Sequence, residues 1–477
     1  MDTIGPVTDD QRSIYLTIDL ALRVGEVVLA SGAGAADTTS MMLSVTSAAG
    51  LRNCEIDVTF TSLTLSFQSE PDTPPETHTR QVRYREIDYS RLTDVDHLVR
   101  QFAAAEIDLD EARRQLGTIV TSGHPYPRWA STLGWGCMAG GAGILIGGDW
   151  IACVVAFCSA MIVDQLNRMV SRRRIPSFYQ QVLGGFLATV IAVGIDRVSP
   201  QTSASLIVAA AIIVLLAGIA IVGAVQDALT GFYVTASARS FEAILLTAGI
   251  IAGVSAGLGL AQAVGIELTV QALDPLGLSH LPTAIVGAAV VSAAFAFACF
   301  APWRTLPPVA ALGALGQVAF RPAIELNLGI AWGSATAAIL VGLLSFSIAA
   351  RVRVPPLVIV VSGIVPLLPG LSIYRGLFQL FRENPVGVTS MFSAAAIAVA
   401  LAAGVILGEY VAQPLAREAR RLETRLAGPR LVGPLRPKRR PRERPVRERR
   451  PREWPRERPP RERPPRERKG PGGDRTT

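Results

Sequence analysis

The sequence predicts a polytopic α-helical membrane protein with a small α/β region before the membrane helices and a basic tail after them. Apolar stretches of membrane-spanning length recur between residues 129 and 412. A helix that rises 1.5 Å per residue needs about 20 apolar residues to cross the hydrocarbon core. Half of the 477 residues are apolar and the mean hydropathy is +0.37, which excludes a soluble enzyme.

We place ten spans in two groups of five, which we assign to residues 129–265 and 281–412. Loops assigned to the cytoplasm hold eight arginines against four in external loops, which agrees with the positive-inside rule. An odd number of spans in each half requires the halves to be inverted, as in inverted-repeat transporters. The predicted spans are 129–148, 150–170, 178–197, 204–225, 241–263, 281–300, 306–320, 328–349, 356–377 and 390–412.

Residues 11–128 are predicted to form a small cytoplasmic α/β domain. Residues 55–67 are rich in β-branched and aromatic side chains and predict extended chain, with residues 79–84 as a partner strand. No secretory signal sequence is visible, so the N-terminus is expected to stay in the cytoplasm. Helical spacing is found in residues 11–30, 38–48, 92–104 and 109–120.

The positive charge of the chain is concentrated in its tail. The formal net charge is +8, but the residues from Pro429 onward include 19 basic and 7 acidic residues, and the remainder carries a net charge of −4. The repeated Pro-Arg-Glu-Arg-Pro pattern cannot bury enough apolar surface to fold, so residues 426–477 are predicted to be disordered. We interpret the tail as a solvated extension rather than a site for membrane lipids or nucleic acid, and no nucleic-acid partner is expected.

Ionisable residues inside the predicted spans are the candidate functional residues, because insertion of a charge costs about 2.5–3.5 kcal/mol. For Asp164 and Asp227, a role in proton or substrate coupling and a structural role as an ion pair or helix cap are equally open. For Glu242 and Glu409, which lie close to the predicted membrane interfaces, snorkelling or pairing with a neighbouring arginine is favoured. The complete set is Asp164, Asp227, Glu242, Arg375 and Glu409.

Two prolines predict a break in the ninth span. Pro366 and Pro369, followed by Gly370, remove backbone donors and disrupt the helix. Transporters use the backbone groups freed by such breaks to hold substrate. Arg375 follows the break and is expected either to complement a substrate carboxylate or to snorkel at the outer leaflet.

The remaining motifs predict no cofactor. The five cysteines and four histidines are scattered, which favours neither a disulfide framework nor a zinc site. The glycines near Gly140 lie in an apolar span with no preceding strand, and no Walker motif is present, so nucleotide binding is not predicted. Gly249, Gly253 and Gly257 recur at four-residue spacing, which predicts close helix packing.

Several short motifs follow one another along the chain, and in this order they resemble the bacterial threonine/serine exporter family. They comprise residues 25–39, 54–60, 80–83, 88–92, 147–149, 227–231, 366–370 and 374–376. The resemblance covers residues ~15 to ~412. It implies export of threonine and serine, or of small peptides, across the bacterial plasma membrane, driven by the proton motive force. Both termini are expected in the cytoplasm. The Gly32 to Thr38 segment is interpreted as a helix start capped by Asp37 or Thr38.

One departure from the family pattern concerns the fourth span. Where the resemblance leads us to expect Arg-Asp, the chain has Gln226-Asp227, so Asp227 is expected to lack a neighbouring countercharge. The leading hypothesis places the substrate site between spans four and nine. Asp227 would carry the proton, and Arg375 with Pro369-Gly370 would meet the amino acid.

Two alternatives assign the function to parts of the chain outside the predicted membrane spans. A membrane-tethered hydrolase would draw on Asp37, Thr38, Cys54, Asp57 and His78, but these residues lack the context of a known catalytic arrangement. A regulatory scaffold would recruit an acidic partner through the basic tail. A homo-oligomer is compatible with each hypothesis.

Overall fold

The computed structural model describes residues 9–70, 72–83, 85–198, 204–213, 215, 218–263, 265, 281–381 and 384–426. The chain divides into two compact units, one ending at Arg421 and one beginning at Leu422. The predicted loop 266–280 lies outside the described residues. The same holds for the predicted disordered tail after Leu426.

The N-terminal segment, residues 9–127, combines four helices with a three-stranded antiparallel sheet whose strands lie side by side in chain order. Pairing places Ile56 opposite Leu65 and Leu65 opposite His78. The elements are α1 (Asp9–Ala30), α2 (Ala35–Ala48), β1 (Cys54–Val58), β2 (Ser62–Phe67), β3 (Glu76–Gln81), α3 (Tyr89–Ala103) and α4 (Leu109–Thr121).

The extended stretch predicted at residues 55–67 is a hairpin. The Thr59 amide donates to the Ser62 carbonyl at 2.9 Å, which closes a turn between β1 and β2. The sequence did not reveal this turn because it contains no glycine, proline or asparagine. The partner strand is Glu76–Gln81 instead of residues 79–84, and residue 84 lies outside the described residues.

Alternation along β2 builds the core of the N-terminal segment. Leu63 and Leu65 are fully buried and Phe67 is nearly so, while the intervening residues are partly exposed. They belong to the same core as Met42 of α2 and the apolar face of α1. Each fully buried side chain of this size contributes about 1.5–3 kcal/mol.

Helices make up the rest of the described chain. Six of those described are long and apolar enough to cross a membrane, and they begin at Trp150, Ser177, Tyr233, Leu281, Ile330 and Val386. The helices are α5 (Arg128–Leu145), α6 (Trp150–Arg172), α7 (Ser177–Val198), α8 (Ala204–Ile212), α9 (Gly218–Leu229), α10 (Tyr233–Ala263), α11 (Leu281–Ala298), α12 (Leu306–Glu325), α13 (Ile330–Val352), α14 (Pro356–Ile364), α15 (Gly370–Phe381) and α16 (Val386–Leu426).

Two of the predicted spans are interrupted. The ninth breaks between α14 and α15 at a 3-10 turn, Val365–Leu367, as its prolines predict. The fourth contains two shorter helices, α8 and α9, although it has no proline; Ile213 and Leu215 between them lie in a turn, and residues 214, 216 and 217 are outside the described residues. Both breaks shorten the helices, so neither pair contains a helix of full membrane-spanning length.

Glycines allow two pairs of helices to pack at backbone distance. A Cβ atom added at Gly253 of α10 would lie 2.0 Å from the Val182 carbonyl oxygen of α7. A Cβ atom at Gly342 of α13 would lie 2.5 Å from the Val405 carbonyl oxygen of α16. The contacts of Gly253 confirm the close packing predicted for the stripe of glycines on α10.

Candidate functional site

A cavity of about 580 Å³ lies between the N-terminal segment and the two interrupted spans. Its volume is within the range of small-molecule sites. Helices α9 and α10 form one wall, and the break between α14 and α15 forms another. Lining residues include Gly218, Gly223, Gln226, Arg239 and Glu242 on the first wall, Val365 to Pro369 on the second, and Gly34, Phe60, Arg85 and Glu86 in the N-terminal segment.

Asp227 joins α9 to the N-terminal segment. Its side chain is buried, and its Oδ1 atom accepts a 2.9 Å hydrogen bond from the Ala35 amide at the first turn of α2. The residue at the N-cap, Gly34, offers no side chain for this role. The cap expected from Asp37 or Thr38 is therefore supplied by a carboxylate from a distant helix, which also complements the positive end of α2.

Asp227 also has a countercharge, contrary to the sequence expectation. Arg239 Nη1 lies 2.9 Å from Asp227 Oδ2, and both side chains are largely buried. The second Nη of Arg239 donates to the Ala33 carbonyl at 2.9 Å. The expectation was wrong because it considered only the residue beside Asp227, whereas the partner lies at the start of the next helix.

The start of α10 holds the β1–β2 hairpin as well. Thr235 Oγ1 donates to the Val58 carbonyl at 3.0 Å. This bond brings the hairpin turn, with Phe60, to the edge of the cavity. On another side of the N-terminal segment, the Tyr89 amide donates to the Cys299 carbonyl at 2.9 Å. The segment is thus fixed to helices in both predicted halves.

Asp37 is a second acidic group near this junction. Its side chain is exposed to solvent on one side, while protein atoms surround and desolvate the carboxylate on the others. This burial raises the pKa of Asp37, the charge of Asp227 adds to the increase, and a hydrogen bond from Gly34 and the charge of Arg239 oppose it. Glu409 of α16 is half-buried and interacts electrostatically with Asp37.

The structure brings together only some of the residues proposed from the sequence. Glu242 and Pro369 line the cavity, and Gly370 begins α15 directly beyond its wall. Asp227 lies behind the wall, next to Arg239. Arg375, half-buried on α15, and Glu409 are not among the residues that line the cavity.

Asp164 lies at a different place. Arg168 Nη2 lies 2.8 Å from Asp164 Oδ2, and Thr132 donates to the same oxygen at 2.7 Å. These contacts link α5 to α6 beside a separate, smaller cavity. Of the two roles considered for Asp164 from the sequence, coupling or structure, these contacts correspond to the structural ion pair.

Arg85 is the cavity residue that sequence reasoning missed. Its Cζ atom lies 3.5 Å from the centroid of the Phe60 ring, a cation–π contact. Its Nη2 atom is buried and has no hydrogen-bond partner among the described residues. Desolvation, followed by the charge of Arg239, lowers the pKa of Arg85 to about 10, so the side chain stays charged at neutral pH.

The residues of the hydrolase alternative do not form a nucleophile–base pair within the described chain. The Thr38 hydroxyl donates to the Gly34 carbonyl at 2.8 Å. The His78 ring packs edge-on against Tyr15 at 5.5 Å. Burial raises the pKa of the Cys54 thiol, whereas a nucleophilic cysteine needs a lowered pKa.

Comparison with known proteins gives consistent matches over most of the chain. Two family models match. One is described as "Putative threonine/serine exporter" and matches residues 19–261, and the other is described as "Threonine/Serine exporter, ThrE" and matches residues 284–411. The "Probable threonine/serine exporter" of Mycobacterium tuberculosis is 38% identical over 423 residues, which cover 86% of this chain and 80% of that protein. The "Threonine/serine exporter" of Corynebacterium glutamicum is 34% identical, covering 86% and 85%.

A more distant relative has a different name. The "Probable succinate transporter subunit YjjP" of Escherichia coli strain K12 is 25% identical over 249 residues, which cover 52% of this chain and 94% of that protein. No solved structure matches this chain. The matches over most of the chain confirm the resemblance seen in the motifs.

Proposed function

The chain belongs to the threonine/serine exporter family, and we propose that it exports threonine and serine in exchange for protons. The observation that carries this proposal is the cavity of about 580 Å³. Its wall includes both interrupted spans, and a buried carboxylate lies directly behind it. Broken helices that face a cavity supply backbone groups to a substrate in secondary transporters.

The proposed architecture has ten membrane segments in two inverted halves in the bacterial plasma membrane, with both termini in the cytoplasm. Repeated packing supports it, because α7 meets α10 through Gly253 as α13 meets α16 through Gly342. The breaks also occur at the fourth segment of each half. The E. coli relative, a subunit that aligns with about half of this chain, supports a division into separable parts.

In the proposed mechanism, Asp227 links proton binding to movement of the N-terminal segment. As a carboxylate it pairs with Arg239 and caps α2, so the segment closes one side of the cavity. A proton on Asp227 removes the charge that both contacts use, and the segment loosens. The charged groups that face Asp227 are Arg239 on α10, Asp37 on α2 and Arg85 before α3. The proton shifts the equilibrium between the closed and the loosened N-terminal segment only because it binds Asp227 with different affinity in the two states.

Efflux from cells tests this proposal. Cells with and without the protein are loaded with radiolabelled threonine, and a protonophore is added midway through the time course. We expect protein-dependent efflux that collapses with the proton gradient. In Asp227→Asn, efflux is expected no longer to depend on the proton gradient. Asp110→Asn, on the exposed surface of α4, is the matched control. Efflux that continues unchanged after the protonophore would contradict proton exchange.

A further inference from the structure

We propose that Arg85 and Glu242 bind the two charged groups of the amino acid, with Arg85 on the α-carboxylate and Glu242 on the α-ammonium group. This inference rests on the proposed export of amino acids and names the part of the cavity that recognises them. Both residues line the cavity, and they come from different parts of the fold, one from the N-terminal segment and one from α10.

Arg85 is held in place but has unused donors. The Val82 amide donates to the Thr61 carbonyl at 2.8 Å, and the Glu86 amide donates to the Ala30 carbonyl at 3.0 Å, which fixes the backbone on both sides. The Phe60 ring supports one face of the guanidinium group. A buried donor without a partner is costly, so Nη2 is suited to an acceptor that a ligand brings.

The other cavity arginine is already occupied. Arg239 pairs with Asp227 and donates to the Ala33 carbonyl. Because Asp227 already neutralises the charge of Arg239, this side chain attracts a substrate carboxylate less strongly than an unpaired arginine does. Arg85 is therefore the cation in the cavity wall that is open to a ligand, since the described residues give it neither an ion pair within 4 Å nor a side-chain hydrogen bond.

Glu242 supplies the opposite charge. It is half-buried on α10 and interacts electrostatically with Arg85 without forming a direct ion pair with it. Two unlike charges that face one cavity without contact match a zwitterion, whose carboxylate and ammonium groups are adjacent. A dicarboxylate would instead place one of its charges near Glu242, and this repulsion would select against it.

Competition binding to the purified full-length protein tests the assignment. The probe is radiolabelled L-threonine, and the competitors are L-threoninamide, which lacks the carboxylate, 3-hydroxybutyrate, which lacks the ammonium group, and succinate. In the unaltered protein, each analogue is expected to compete roughly 10–100-fold more weakly than threonine, the loss typical of one charged hydrogen-bond pair.

The variants separate the two roles. Arg85→Gln is expected to weaken threonine binding roughly 10–100-fold and to abolish discrimination against threoninamide, while discrimination against 3-hydroxybutyrate remains. Glu242→Gln is expected to give the reverse pattern. Arg114→Gln, an exposed arginine on α4, serves as the matched control and should bind as the unaltered protein does.

Three results would overturn the assignment: full discrimination against threoninamide in Arg85→Gln, loss of that discrimination in Arg375→Gln instead, or succinate competing better than threonine. If Arg85→Gln does not fold, competition by the analogues in the unaltered protein carries the test. Equal competition by threonine and threoninamide in the unaltered protein would also refute it without any variant. Absence of threonine binding to the unaltered protein would instead refute the proposed function.

Discussion

Replacement of Asp227 by asparagine is predicted to loosen α2 from α9. Asparagine keeps an oxygen that accepts the hydrogen bond from the Ala35 amide, but it removes the charge opposite Arg239. The Arg239 side chain is 11% exposed, so water cannot fully replace the lost partner. The variant therefore isolates the charge of Asp227 from its shape.

The expected magnitude follows from this burial. Removal of one partner from a buried ion pair costs about 3–5 kcal/mol, because the other charge is left uncompensated. Arg239 retains its bond to the Ala33 carbonyl, which favours the lower value, about 3 kcal/mol. At about 1.4 kcal/mol for each factor of ten, this corresponds to a roughly 100-fold larger population in which the start of α2 is open.

Hydrogen exchange measured by mass spectrometry reports that population directly. In the full-length protein, amides of residues 33–39 are expected to exchange roughly 100-fold faster in Asp227→Asn. Adding Arg239→Gln should restore most of the protection, because no uncompensated charge remains. Asp164→Asn breaks a different ion pair and is the control. Unchanged exchange in Asp227→Asn, or equal acceleration in Asp164→Asn, would refute the reasoning.

Three further predictions concern packing, pH and the cavity. Gly253→Ala is predicted to separate α10 from α7 and lower Tm, because the added methyl group meets the Val182 carbonyl oxygen. Gly259→Ala points into open space and should leave Tm unchanged. Thermal unfolding of the two variants in detergent makes the comparison. Desolvation raises the pKa of Asp37 above its ordinary value of 3.8, so its charge destabilises the folded protein at neutral pH. Asp37→Asn should therefore raise Tm at pH 7. The difference in Tm between the variant and the unaltered protein should vanish as the pH falls towards 3.8, where Asp37 is protonated in the folded protein. Phe60→Leu should weaken threonine binding about 2–10-fold through loss of the contact with Arg85, as measured by competition binding.

Proline chemistry explains why only one of the two breaks was predicted. In the ninth span, Pro366 and Pro369 predict the break from the sequence, because proline disrupts a helix. The fourth span contains only apolar and small residues at its break, and periodicity cannot distinguish one buried helix from two. The hairpin at residues 55–67 was missed for a related reason, since its turn, residues 59–62, contains no glycine, proline, asparagine or aspartate and only the weaker turn former Ser62.

The candidate site required three-dimensional information. The cost of a charge in lipid singled out Glu242 and Asp227, and the structure places both at or beside the cavity. Arg239 falls between the predicted spans 204–225 and 241–263 and was therefore assigned to a loop. In the structure α9 ends at Leu229, and the turn that contains Gly231, with a φ of 94°, leads into α10, which places Arg239 beside Asp227. Arg85 lies in a loop of the N-terminal segment, where no rule based on membrane spans draws attention to a charge.

Proton movement coupled to threonine is the most direct test of the account. The protein is reconstituted into liposomes that contain threonine and a pH-sensitive dye, with no threonine outside. Because each threonine that leaves is proposed to exchange for a proton, the lumen should acidify with the unaltered protein, and this acidification should be absent with Asp227→Asn. Threonine efflux without acidification, or the same acidification in Asp227→Asn, would contradict the account.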